Sequence, residues 1–375
     1  MTRLRAWFAM VAMVLAGVYT AGARAEAYSV LAHESNIDAL WNSHIRGLLI
    51  AKYPGTTPET LLEARAYAYG GSVIQDLGYY PFGSRFFTNL LHYVKTGDFV
   101  ERLIRDAQDV NEYAFALGAL CHYASDNAGH SLAVNRAVPL IYPKLQRKFG
   151  NSVPYDKAPK EHIMVEFAFD VLLVAHGGYK LQAYHDLIGF KVATPLLERS
   201  FQATYGLEMD DLFLSQDLAI GTFRHAVGST IPDMTKIAWE KKQEQIQKNT
   251  PGVLRQQFVL SLPRTDYEKE FGTEYQKPGA FARVLGFLYK LLPKIGPFRP
   301  LGFKVPTPEA EKLFLDSLAR TRARFGDALG DLRRGQLQLP NVNLDTGRAE
   351  NPGSYRIADE TAREYQEKLT RVRSR

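Results

Sequence analysis

His122-Tyr123-Ala124-Ser125-Asp126-Asn127-Ala128-Gly129-His130 places three metal-capable side chains four residues apart. On an α-helix such residues stack along one face, drifting by about 40° per step at 3.6 residues per turn. Upstream, Val110, Tyr113, Leu117, Leu120 and Cys121 run at helical spacing into that face, behind an Asp109-x-x-Glu112 cap. A row of His, Asp and His inside an apolar helix is costly unless something pairs with it. A cation against that face supplies the pairing.

Outward from this helix the chain reads as further helices punctuated by Gly and Pro. Thr56 with Glu59 predicts a capping box, Pro58 a first turn, and Leu61 to Tyr69 a helix running to Gly70-Gly71. Ser72 to Leu77 reads as a second helical piece ending in the turn Gly78-Tyr79-Tyr80-Pro81-Phe82-Gly83. Ser84 then caps a helix through Tyr93. Gly118, one turn before His122, invites another backbone to approach closely. Pro159 opens a helix that carries His162 and Glu166 and ends at Gly177-Gly178. No run of β alternation appears in residues 28–240. An all-α fold follows.

The 375 residues, 46% hydrophobic and 23% charged, suffice for a large buried core. Arg3 and Arg5 precede the apolar run Trp7 to Val18, which is too short to span a bilayer. Two overlapping A-x-A sites follow, so residues 1–27 read as a signal peptide and the product as exported, periplasmic or secreted. Cleavage after Ala25 leaves Glu26 in front; cleavage after Ala27 leaves Tyr28. The formal charge of +6 falls by two when that segment is removed. Such an excess identifies neither nucleic acid nor anionic lipid. Cys121, the single cysteine, excludes an internal disulfide; it points about 100° away from the His face and reads as a buried apolar thiol. After residue 245, Pro, Gly and charge become frequent. Composition therefore sets a helical domain at 28–245 and a less regular extension of unknown role at 246–375.

His162 and Glu166 form a second pair at four-residue spacing. Two such pairs offering nitrogen and carboxylate oxygen suit zinc better than calcium or magnesium. His44 reads as a polar helix-face residue and His176 as a group at a helix end. His185-Asp186, a dipeptide common by chance, is not needed, and His225 belongs to no ligand motif.

This pattern resembles the zinc-dependent phospholipases C of bacteria, whose fold is shared with fungal single-strand-specific nucleases. His122, Tyr123, Asp126, His130 and Asn135 echo the family signature, and His162 with Glu166 looks like its later pair. Asp76 and His92 stand in the order of its upstream ligands. Tyr28 and His33 have the spacing of its N-terminal pair. The resemblance implies an all-helical fold holding up to three zinc ions. Asp76, His92, His122 and Asp126 would hold the first. Asp126 would bridge to a second, held by His33 and by Tyr28 through its free amine after cleavage at Ala27. His130, His162 and Glu166 would hold the third. This chain departs from the family in having only Asn127-Ala128-Gly129 between Asp126 and His130, and in Tyr28 where Trp is usual.

The function implied is hydrolysis of a phospholipid head-group phosphodiester by zinc-activated water, with Asp76 as general base. Tyr79, Tyr80 and Phe82 are candidate substrate contacts. The segment Phe281 to Leu292 is compatible with a peripheral membrane contact and equally with an ordinary docked helix. No stable protein partner is inferred. An exported zinc-dependent nuclease and a non-catalytic, zinc-stabilised binding protein are the alternatives.

Overall fold

The structure, a computed structural model, describes residues 30–176, 190–249, 252–259, 304–349 and 351–374. It is all-α. Among the described residues the one departure from helix, turn and coil is a bridge between Asn343 and Arg348. The signal segment, Tyr28, Gly177-Gly178, His185-Asp186 and Phe281 to Leu292 lie outside the described residues. No helix of the described residues is long and apolar enough to cross a membrane.

In chain order the helices are α1 (Val30–Leu40), α2 (Arg46–Lys52), α3 (Pro58–Val73), α4 (Arg85–Tyr93), α5 (Thr96–Asp106) and α6 (Val110–Gly129). They continue with α7 (Asn135–Ile141), α8 (Pro143–Phe149), α9 (Pro159–Ala175), α10 (Thr194–Tyr205) and α11 (Gln216–Asn249). Two more follow, α12 (Pro308–Arg333) and α13 (Arg356–Arg373).

α6 is the axis of the molecule. Every residue from Glu112 to Asp126 is buried, as expected of a helix that neighbours surround on all sides. α1, α3, α5 and α12 all pack on it. Its start is capped as the sequence predicts: Asp109 Oδ1 accepts the Glu112 N–H at 2.8 Å. Glu112 reaches back one residue further than a standard box, accepting the Gln108 N–H at 2.8 Å.

α3 and α6 touch backbone to backbone. A Cβ on Gly71 would lie 1.9 Å from the Phe115 carbonyl oxygen, and one on Gly118 would lie 2.1 Å from that of Ala68. This explains why α3 runs through Gly70-Gly71 to Val73 instead of stopping there. The glycines are contact points, not terminators. α3 is capped one residue later than its sequence suggests, since Thr57 accepts the Thr60 N–H at 3.2 Å. A tighter 3-10 turn, Ile74–Tyr79, follows and carries Asp76 inward.

Beyond residue 245, α12 presents Ala310, Phe314, Leu318, Phe325 and Leu329 to the core, and Phe314 stacks on Phe169 of α9 at 4.5 Å. On α13, buried Tyr365 donates its hydroxyl to the Tyr205 carbonyl at 2.9 Å. These apolar residues join the same core cluster as the helices of the first half.

Candidate metal centre

Four helices and two short segments bring the polar side chains together. α6 supplies His122 and Asp126, α1 supplies His33, and α4 supplies His92. The 3-10 turn supplies Asp76 and α9 supplies His162 and Glu166. His130 sits where α6 widens into a π turn, His130–Val134, a distortion frequent at functional sites. The short Asp126 to His130 spacing is thus accommodated by continued helix, with His130 Nε2 3.6 Å from Asp126 Oδ1.

Three groups result: Asp76, His92 and His122; His33, His122 and Asp126; His130, His162 and Glu166. Within each, the donor atoms lie within 4.8 Å of one another. Asp126 ties the first two together, its Oδ2 lying 3.1 Å from His122 Nε2 and 3.2 Å from His92 Nε2. Its Oδ1 faces His33 Nε2 at 3.4 Å. Asp76 Oδ1 lies 3.4 Å from His92 Nε2.

The ring tautomers are fixed by what lies behind them. His122 Nδ1 donates to the Ser72 carbonyl at 3.0 Å, and His92 Nδ1 donates to the Thr88 carbonyl at 2.8 Å. In the neutral rings each Nε2 is therefore a lone pair, and the two point at each other across 3.3 Å. In α9 the logic repeats. Asn135 gives its Nδ2 proton to the Asp345 carbonyl at 2.7 Å, so its Oδ1 accepts from His162 Nε2 at 2.6 Å. That leaves His162 Nδ1 as a lone pair 2.9 Å from Glu166 Oε1.

Lone pairs turned toward carboxylates need a positive charge between them. Asp76 Oδ1, both oxygens of Asp126, His130 Nδ1, Glu166 Oε2 and Asp345 Oδ1 are buried without a hydrogen-bond partner. Each such atom costs about 1–3 kcal/mol when left unpaired. With imidazole nitrogen and carboxylate oxygen as the donors, the set fits zinc.

The same neighbours shift the titration of these groups in the ion-free protein. Burial opposes the Asp126 charge, yet His122 and His130 outweigh it and hold this carboxyl well below its usual range. Burial pushes Asp76 up to about 6 against the pull of His122 and His92. Burial also drives His33 well below the ordinary imidazole value, assisted by His122. His92 goes the other way, lifted to about 10 because Asp126 and Asp76 overcome its burial.

Of the three turn aromatics, Tyr79 meets the centre, edge-on to the His92 ring at 6.1 Å between centroids. Tyr80 packs on Phe223 at 4.1 Å, and Phe82 lies against the core at a positive φ of 66°. Two residues escaped the sequence reading. Asp345 comes from a coil segment whose only local signal is turn-forming Asn343 and Gly347. Asp170 extends the His162, Glu166 row by another four residues, and its carboxylate accepts the Leu31 and Ala32 N–H groups at 2.9 and 3.1 Å. That clamp seats the start of α1, and with it His33.

Fold and donors together define a class: a helical protein built around three candidate metal sites of histidine and carboxylate. Residues 41–213 match the family model described as zinc dependent phospholipase C, and over that stretch the chain is similar to that family. The match supports a zinc-dependent, phospholipase C-like hydrolase. The match spans Asp76, His92, His122, Asp126, His130, His162 and Glu166, while His33 and Asp345 fall outside it. No curated protein and no solved structure matches the chain.

Proposed function

We propose that this protein, exported by its N-terminal segment, hydrolyses the head-group phosphodiester of a phospholipid. The observation that carries the reading is the pair of Nε2 lone pairs on His92 and His122, aimed at each other and at Asp126. Zinc, when bound there, supplies the charge that acidifies a water and neutralises a phosphoryl group.

The chain's own residues do the rest. His33, Asp76, His92, His122 and Asp126 would hold two ions, with the free amine of Tyr28 completing the second. His130, His162 and Glu166 would hold the third. Ser72, Thr88 and Asn135 fix the rings so that the right nitrogen faces inward. Asp76, beside His92 and not wholly enclosed, would act as the general base. His33, His122, Asp126 and His162 are fully buried, whereas Asp76, His92 and His130 keep 4–5% of their surface exposed. Substrate therefore approaches along the Asp76, His92 and His130 edge, where Tyr79 also lies.

The test uses purified mature protein with phosphatidylcholine and with single-stranded DNA, before and after chelation. Phosphocholine release that disappears on chelation and returns with zinc is the expected result, and Asp76→Asn should lower kcat by 10²–10⁴ (about the range of a general base). Cleavage of DNA but not lipid would reassign the substrate. Zinc bound without hydrolysis of either would leave a binding protein. Amino-terminal sequencing that begins at Glu26 would remove Tyr28 from the ligand set.

A further inference from the structure

His130 Nδ1 faces two carboxylates, not one. Glu166 Oε1 lies 3.7 Å away and Asp345 Oδ1 lies 3.2 Å away; Asp345 Oδ1 is also 3.5 Å from His162 Nε2, the nitrogen that donates to Asn135 and not the metal-facing one. The two oxygens of Asp345 are used differently. Oδ2 is saturated, accepting the Tyr155 N–H at 3.0 Å and the Tyr355 hydroxyl at 2.9 Å. Oδ1 is buried, unpartnered, and turned toward His130. His130 Nδ1 is likewise without a hydrogen-bond partner.

The segment that brings Asp345 there is firmly seated. The Leu339 N–H donates to Glu101, the Tyr123 hydroxyl donates to the Pro340 carbonyl, and Asn341 Oδ1 accepts the Gly97 and Asp98 N–H groups at the start of α5. The Leu344 N–H donates to the His92 carbonyl at 3.0 Å, and the Asp345 N–H to Asn343 Oδ1 at 2.8 Å. So many contacts hold the carboxylate in one place against the third group.

We propose that Asp345 is a fourth protein ligand of the third metal ion, so that the chain beyond the family match completes the centre. The inference rests on the zinc hydrolase reading above. Four protein donors close a site, and closed zinc sites are structural. The third ion would then brace α9, the π turn and residues 339–349, leaving the first two to meet substrate.

Wild-type protein and the variants Asp345→Ala, Asp345→Asn and Tyr355→Phe are equilibrated in zinc at a fixed free concentration. Bound zinc per chain is measured by mass spectrometry, with near-ultraviolet circular dichroism reporting the fold. Wild type and Tyr355→Phe should hold three ions. Both Asp345 variants should hold two, with the third bound at least about tenfold more weakly. Asp345→Asn keeps the shape and still accepts the hydrogen bonds at Oδ2, so it remains informative if the alanine variant fails to fold. A third ion held by Asp345→Asn as tightly as by wild type would overturn the proposal, because an amide can orient His130 but lacks the anionic oxygen. A wild-type chain that holds no zinc at all would instead sink the underlying hydrolase reading.

Discussion

His92 and His122 present their Nε2 atoms to each other at 3.3 Å, each ring pinned from behind by a backbone carbonyl. Two lone pairs in that position repel unless a cation or a proton separates them, and a bound ion takes that place in the loaded protein. Chelation should therefore destabilise the fold as well as abolish activity. An ion present at a hundred times its Kd contributes about 2.7 kcal/mol, which in a domain of this order corresponds to a fall of roughly 5–10 °C in Tm. Thermal unfolding with and without chelator measures it. An unchanged Tm would mean the centre is not metal-filled.

Gly118→Ala should be disruptive, since its Cβ would fall 2.1 Å from the Ala68 oxygen. Overpacking of this kind costs about 1–3 kcal/mol, and separating α3 from α6 also moves Ser72 away from His122. Urea unfolding should show the loss, together with weaker zinc retention. Gly326→Ala on α12, where the nearest neighbour is 3.7 Å away, is the control and should be neutral or stabilising by up to about 1 kcal/mol. Equal effects at the two glycines would contradict the close-contact account.

Tyr69 predicts an alkaline limit. Its hydroxyl donates to Asp38 Oδ1 at 2.5 Å, beside Arg65, and burial, followed by the Asp38 charge, holds its pKa well above 10.0. The folded protein thus retains a proton that the unfolded chain gives up. Its contribution is complete below pH 10.0 and is lost as pH rises through and beyond that value. Tyr69→Phe should cost about 1 kcal/mol at pH 7 through the missing hydrogen bond. It should also flatten the fall in stability above about pH 10, where an ordinary tyrosine ionises. Parallel wild-type and variant curves across that window would count against it.

Cys121 should be silent to thiol reagents. It is fully buried, and burial lifts its thiol to about 12, so almost no thiolate forms at pH 8. Labelling should become complete only on unfolding. Prompt reaction of the native protein would mean that α6 is less enclosed than its packing implies.

The sequence made the centre legible where ligands repeat along a helix. His122, Asp126, His162 and Glu166 announce themselves because four-residue spacing survives in the linear chain. Gly118 was readable too, as a small residue one turn from a ligand. Gly71 was misread as a terminator, because only the approach of Phe115 from another helix makes a mid-helix glycine useful. The cap of α3 slipped from Thr56 to Thr57 because both are competent and a single Pro58 fits either. Asp345 left no trace of its role. A carboxylate in a coil acquires meaning only when its neighbours come from residues far away in the chain.

That distance has a kinetic consequence. Asn135 and Asp345 meet across 210 residues, and Thr96 meets Val342 across 246. Contacts of such separation form late and slowly, after the loop-closure entropy has been overcome. Helices α1 to α9 can gather early, but the wall beside His130 arrives with the last stretch of chain to find its place. The wall beside the third group is thus a product of completed folding, whereas the residues of the three groups themselves all come from the stretch that can gather early.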